Sequence, residues 1–288
     1  MRGSFHDNPA LSEPLFDLLD LVFPGVRALA QNARVLGAPW ESVSTPFFSV
    51  ENDQLVSHVG VIEIPMILAG QKMTVGSLHA VATHPAYRRH GYYRHLMEEV
   101  LAYCSNRYAT LILTTEHPEY FEPFGFRRVQ EYLFTAHYRT GGDAPSFRLL
   151  DTQASGDIAL LHRLLETRSP LSHVVGVVNE KAVFCFNEGS RPLYYEAELD
   201  VLVCLEWEGT RLKIFDIVGP RIPPLITLLE KLPRPIEVVD MYFSPDRLQV
   251  EATATPHLFD HDGPTYLMVR GPFAPEGQAF SLPRSART

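Results

Sequence analysis

The residues best suited to chemistry are concentrated between Gly76 and Ala102, in GSLHAVATHPAYRRHGYYRHLMEEVLA. An apolar run stops at Thr83-His84-Pro85, a basic turn with Arg88, Arg89 and Gly91 follows, and a helical pattern begins directly after it. The first turn of a helix carries unpaired N–H groups and the positive end of the helix dipole. A glycine just before it lets an anionic oxygen approach the backbone closely. Arg88 and Arg89 add charge where a pyrophosphate would lie. An arginine-rich turn alone is usually solvated surface. Strand, proline stop, two arginines, glycine and helix start in that order are far more specific, and they predict a phosphate cradle.

The elements that must hold this cradle are legible on both sides of it. SEPLFDLLDLV (12–22) spaces Leu15, Leu18, Leu19 and Val22 as a helix face, with Ser12 and Pro14 at its start. A loop containing Pro39 and Pro46 is expected next, then three strands, Pro46–Val50, Gln54–Pro65 and Gln71–Val81. Their turns are Glu51-Asn52-Asp53 and Ala69-Gly70, as in an antiparallel meander. Leu96, Met97, Val100, Leu101 and Cys104 form the apolar stripe of the helix after the cradle. Strands at Ala109–Thr114 and Phe126–Tyr138 complete a mixed α/β unit. Thr140-Gly141-Gly142-Asp143-Ala144-Pro145 combines turn formers with no apolar anchor and serves as the expected boundary. It divides the chain into 1–140 and a second α/β domain, 146–288. That second half is assigned a helix at Asp157–Thr167 and strands at Ala182–Phe186, Val201–Glu206, Leu212–Val218, Glu237–Phe243 and Thr265–Val269. A further helix is expected at Leu225–Leu232, and the tail after Gly271 is expected to be extended.

Composition excludes several classes. The 288 residues are 45% hydrophobic and 20% charged, as in a packed globular chain rather than a disordered one. No run approaches the roughly 18 apolar residues of a membrane span, and the N-terminus lacks a signal-peptide pattern, so a cytoplasmic protein is expected. The net charge of −9 argues against a nucleic-acid partner and suits a cationic one. Cys104, Cys185 and Cys204 each sit in an apolar stretch and read as buried thiols. His79, His84, His90 and His95 are spaced like neither a helical metal pair nor a zinc motif, so no metal is expected.

Arg88-Arg89-His90-Gly91-Tyr92-Tyr93 resembles the acetyl-CoA signature of the GNAT superfamily of N-acetyltransferases, Arg/Gln-x-x-Gly-x-Gly/Ala. Tyr93 departs from it, standing where a small residue is usual. The wording VATHPAYRRHG is similar to the branch of the enhanced-intracellular-survival aminoglycoside acetyltransferases, in which a bulky residue occurs at that place. A second stretch in the right order, ATLILTTEHPEYFEPFGF (109–126), resembles the fifth strand of the family, its short helix and the Gly-Phe ending. The resemblance covers about residues 10–138 and implies a GNAT fold, a mostly antiparallel mixed sheet flanked by helices. The second, smaller domain is only loosely similar to the same branch, in RLKIFDIVG and PTYLMVRGPF, and would itself be GNAT-like.

By that resemblance acetyl-CoA is the co-substrate. Backbone groups of Val81, Ala82 and Thr83 would pair with its pantetheine arm, and Arg88, Arg89, His90, Gly91, Tyr92, Tyr93 and Arg94 would surround the pyrophosphate. The hydroxyls of Thr114 and Thr115, at the end of the fifth strand, would bond the pantetheine amides, or simply end the strand without a ligand. The acceptor would be a primary amine of a small molecule or peptide. The usual acid of the family is a tyrosine in Tyr-x-x-x-Gly, and here Phe121 fills that place and cannot donate a proton. Tyr120 is its neighbour, but adjacent helical side chains diverge by about 100°. Tyr120 as acid or as a surface residue, Glu116 as base or as a solvated carboxylate, and His117 as a participant or as a loop histidine all stand open. A catalytically silent CoA-binding protein is the competing expectation, and self-association is compatible with either. In the similar branch the chain's end brings its carboxylate to the active site, and the sequence leaves open whether Thr288 does so.

Overall fold

The structure is a computed structural model that describes residues 2–140, 146–260 and 263–288. The interval 141–145, where the boundary was expected, lies outside the described residues. Two helices, α1 (Ser12–Val22) and α2 (Val26–Val35), precede a meander of β1 (Ser44–Glu51), β2 (Gln54–Leu68) and β3 (Gln71–Thr83). Asn52 and Asp53 in one turn, and Ala69 and Gly70 in the other, all have positive φ, the backbone a tight two-residue hairpin demands. Helix α3 (Tyr92–Cys104) leads to β4 (Leu111–Thr115), β5 (Arg127–Val129) and β6 (Glu131–Thr140). Then come β7 (Arg148–Leu149), α4 (Ser155–Thr167), β8 (Val175–Val177), α5 (Ala182–Glu188) and β9 (Leu193–Glu196). The chain continues through β10 (Val201–Glu208), β11 (Arg211–Val218), α6 (Leu225–Glu230), β12 (Ile236–Met241), β13 (Thr253–His257), β14 (Phe259–Asp260) and β15 (Pro264–Arg270).

Two sheets result. The first runs β1-β2-β3-β4-β15-β14, with β8 added to β2 and β5 to β15. The second runs β13-β6-β12-β11-β10-β9-β7. Each contains one parallel pair, β3 with β4 and β11 with β12, and each parallel pair is joined through a helix. The halves of the chain trade strands: β6 pairs inside the second sheet, while β8 and β15 pair inside the first. A cut at residues 140–146 therefore does not coincide with the separation between the sheets.

The strand β2 is apolar along most of its length because both of its faces are covered. Val59 and Val61 pack with Leu78 under Leu96, Met97 and Val100 of α3. On the other face, Ile62, Ile64 and Met66 meet Phe280 and Leu282 of the tail. The segment Ala182–Glu188 is helical rather than extended, and it packs on α2. Its apolar run is too short for periodicity to separate helix from strand. The three cysteines are free and buried, as expected. Among the described residues no helix is long and apolar enough to cross a membrane, and no three His, Cys, Asp or Glu side chains are grouped to hold a metal.

Candidate active site

The cradle forms where β3 ends. His84 accepts the N–H of Ala86 at 3.2 Å and starts a single 3-10 turn, Pro85–Tyr87. Arg88 folds back to donate to the Thr83 carbonyl at 3.3 Å. Arg89 has φ 66° and Gly91 φ 86°, so the backbone reverses twice before α3 begins. A Cβ at Gly91 would meet nothing within 4 Å, so the space before the helix is open. No side chain caps α3, and its first turn is free of acidic residues. Arg88, Arg89, His90 and Arg94 are exposed, and the guanidinium groups of Arg89 and Arg94 make no ion pair among the described residues. Uncapped N–H groups, an open glycine and unpaired arginines suit a doubly charged phosphate ligand. Tyr92 donates to Glu51 at 2.8 Å and fastens the helix start to the first hairpin. Tyr93, in place of a small residue, turns inward: its ring packs edge-on to Phe121 and Phe124 and its hydroxyl donates to the Tyr120 carbonyl at 2.9 Å. Burial raises its pKa above the ordinary phenol value.

Beside the cradle the sheet opens. The strands β3 and β4 pair only at Gly76 with Leu111 and Ser77 with Ile112, then part. Gly76 is required there, because a Cβ would lie 2.6 Å from the Tyr108 ring and 2.8 Å from Leu111. Thr288 occupies the mouth of the resulting fork. Its main-chain oxygen accepts the N–H of Thr114 at 3.1 Å and the Thr114 hydroxyl at 2.6 Å. Its own hydroxyl lies 2.6 Å from Ser77 Oγ and donates to the Leu78 carbonyl at 3.2 Å. Backbone groups left unpaired where a sheet splits are costly if buried, and the last residue of the sequence supplies their partners.

The tail reaches the fork along a buried ionic track. Arg284 makes two 2.8 Å bonds to Glu188 and one of 2.7 Å to Glu206, with its guanidinium 3.5 Å from the centre of the Phe215 ring. Ser285 donates to Asp216, which also pairs with Arg168 at 2.9 Å. Arg287 reaches Glu131 at 2.6 Å, and Asn187 on α5 donates to the carbonyls of Arg284 and Arg287. The carboxylates come from the second sheet and from α5, so these bonds anchor the tail to both.

The remaining candidates gather on the loop after β4. Glu116 and His117 are exposed; Tyr120 is 55% exposed and stacks on His117, ring centres 5.1 Å apart. His117 Nδ1 lies 3.2 Å from Glu119. Phe121 points into the core beneath α3, so the two neighbours diverge as helical geometry requires. Thr115 accepts the His117 N–H at 3.0 Å and so closes its own turn, and the hydroxyl that reaches the fork is that of Thr114. Val81 and Thr83 are half-buried at the end of β3; Ala82 is buried against α1, and Ser57 takes both its carbonyl and the Thr83 hydroxyl. Composition and periodicity missed Ser77, the bonds made by Thr288, and the tail arginines, because their partners lie far away in sequence and no local pattern announces them.

Residues 13–129 match the family model of the acetyltransferase (GNAT) domain. The overall fold is of the GNAT type, and residues 13–129 carry the likeness to an acetyltransferase domain. No curated protein matches the chain. Among solved structures, a probable N-acyltransferase of unknown function from Enterococcus faecalis V583 superposes with TM-score 0.59 and 14% identity, over 95% of this chain and 72% of that one. A GCN5-related N-acetyltransferase from Kribbella flavida does so with TM-score 0.56 and 15% identity, over 90% and 68%. At these identities the likeness concerns the fold, and it spans both sheets.

Proposed function

We propose that the protein is an acetyl-CoA-dependent N-acetyltransferase that acts in the cytoplasm on a primary amine of a small molecule or peptide. The observation that carries this is the placement of an open, arginine-flanked helix start directly beside a fork in the sheet. The turn Arg88–Arg94 would hold the pyrophosphate, and the edges of β3 and β4 would hold the pantetheine arm. The donor supplies a thioester carbonyl. The amine nitrogen forms the new C–N bond as the C–S bond breaks; the nitrogen loses a proton and the sulfur gains one. Tyr120 is the hydroxyl on the β4 loop able to give that proton, while Glu116 and His117 draw in the ammonium and take its proton. Such acid and base assistance is worth about 10²–10⁴-fold each.

Within the superfamily we favour the enhanced-intracellular-survival branch, and the wording VATHPAYRRHG at the cradle supports it. Phe121 favours one alternative, a CoA-binding protein without turnover.

Calorimetric titration with acetyl-CoA, beside dephospho-CoA, tests binding; free-thiol release over a panel of amines tests turnover. Micromolar binding with thiol release is the expected result. Binding without release over the panel would support the silent alternative, and no binding would overturn the proposal. Tyr120→Phe should slow thiol release at least tenfold with acetyl-CoA affinity unchanged, and wild-type turnover would remove Tyr120 from the mechanism.

A further inference from the structure

The ladder between β2 and β3 slips by one residue next to the fork. His58 pairs with Ala82 and Gly60 with His79, so Val59 alone faces both Ala80 and Val81. Ala80 takes the bulge at φ 50°, a left-handed backbone unfavourable for a residue with a Cβ. A bulge also drops a carbonyl out of the ladder. Here Nδ1 of the fully buried His58 lies 2.8 Å from the Ala80 oxygen. A carbonyl only accepts, so Nδ1 carries the proton. His58 Nε2 is buried and has no hydrogen-bond partner among the described residues. Burial holds the imidazole neutral, pushing its pKa down to about 4. His79, bonded to Ser44 at 2.8 Å, fills the neighbouring space, and Gly60 is needed beneath it, since a Cβ there would lie 2.2 Å from His79 Nε2. Ala80 follows Leu78, the carbonyl that Thr288 engages, by two residues.

We propose that His58 is a positioning residue for acetyl-CoA: its Nδ1–H clamps the Ala80 carbonyl and so fixes the bulge that directs residues 80–83 along the fork. The inference rests on the fork being the acetyl-CoA site. One nitrogen bonds and the other is idle, which separates a clamp from a mere space filler. His58→Asn places an amide N–H near the position of Nδ1, and His58→Gln places one near Nε2. The Asn variant should keep the wild-type dissociation constant for acetyl-CoA within about threefold, and the Gln variant should weaken it about tenfold, the scale of one hydrogen bond. Equal affinities in all three proteins, or equal losses in both variants, would overturn the clamp. A readout independent of ligand is the tautomer of His58 by ¹⁵N NMR of the wild-type protein. Protonated Nδ1 with unprotonated Nε2 supports the clamp, and the opposite tautomer refutes it. If wild-type protein does not bind acetyl-CoA, the functional proposal falls, and the tautomer still decides whether His58 holds the bulge.

Discussion

The two sheets each contain a strand–helix–strand crossover with one parallel pair, and only the first of these crossovers is open at its helix start. In the first, β3 and β4 share two paired positions and then separate; in the second, β11 and β12 share four, and Tyr242 extends the contact by donating to the Ile214 carbonyl at 2.9 Å. The helix of the first, α3, has 13 residues and starts at an open glycine flanked by arginines. The helix of the second, α6, has six, follows Pro223-Pro224, and its Leu225 N–H is already satisfied by the Leu248 carbonyl at 2.8 Å. Similar topology thus produces a cradle in one place and a closed joint in the other. The turn before the helix and the early parting of the strands make the difference, and connectivity alone does not.

The sharpest way to break this contrast is at the turn. Gly91→Asp sets a carboxylate in the cradle and a Cβ on a positive-φ residue, and should weaken acetyl-CoA binding by more than about a hundredfold. The matching change before the other helix, Arg221→Asp, should alter it by less than about twofold. Calorimetry on both proteins checks the pair, and equal losses would erase the distinction between the crossovers.

The next effect concerns what anchors the tail that reaches the fork. Arg284→Met leaves Glu188 buried without its cation and should cost about 3–5 kcal/mol of stability, measured by urea unfolding. Adding Glu188→Met should restore much of it, because a buried apolar pair needs no ionic partner. Failure of the double variant to recover would mean that the arginine acts through packing on Phe215.

A smaller, pH-dependent effect arises in the first sheet. The folded-state pKa of His58 is about 4, against an ordinary 6.5, so the unfolded chain binds the proton first as pH falls. Its contribution to stability is complete above pH 6.5 and is lost progressively down to pH 4, about 3 kcal/mol in all. His79 is lowered in the same direction by burial. The slope of unfolding free energy against pH over that window should flatten in His58→Asn, and an unchanged slope would contradict a neutral buried imidazole.

Much of the first crossover was legible from residues. Asn52-Asp53 and Ala69-Gly70 announce hairpins because their backbone needs are local, and Leu96, Met97 and Val100 announce α3 because its core face repeats with the helical period. Helix α2 was expected to be loop: its run Val26–Val35 is broken by Arg27, Gln31, Asn32 and Arg34, and only Ala30 and Ala33 are buried. The exchange of β6 and β15 was illegible for another reason. Tyr266 pairs with Thr115, and Val239 with Ala136, by contacts whose sequence separation no local pattern encodes. The same holds for the site. The cradle is a contiguous stretch and could be read, whereas the plug at Thr288 meets Ser77 and Thr114 across most of the chain.

The placement of β15 bears on how the molecule is made. On the ribosome, β4 emerges long before β15, which will lie beside it, and at about 5–20 residues per second the interval lasts roughly eight to thirty seconds. Throughout it the nascent first sheet presents an unpaired strand edge, a template for unwanted pairing. Biogenesis of the acetyltransferase domain is therefore finished from its far end, and a chaperone that shields β4 during translation would raise the yield of active protein more than one that acts after release.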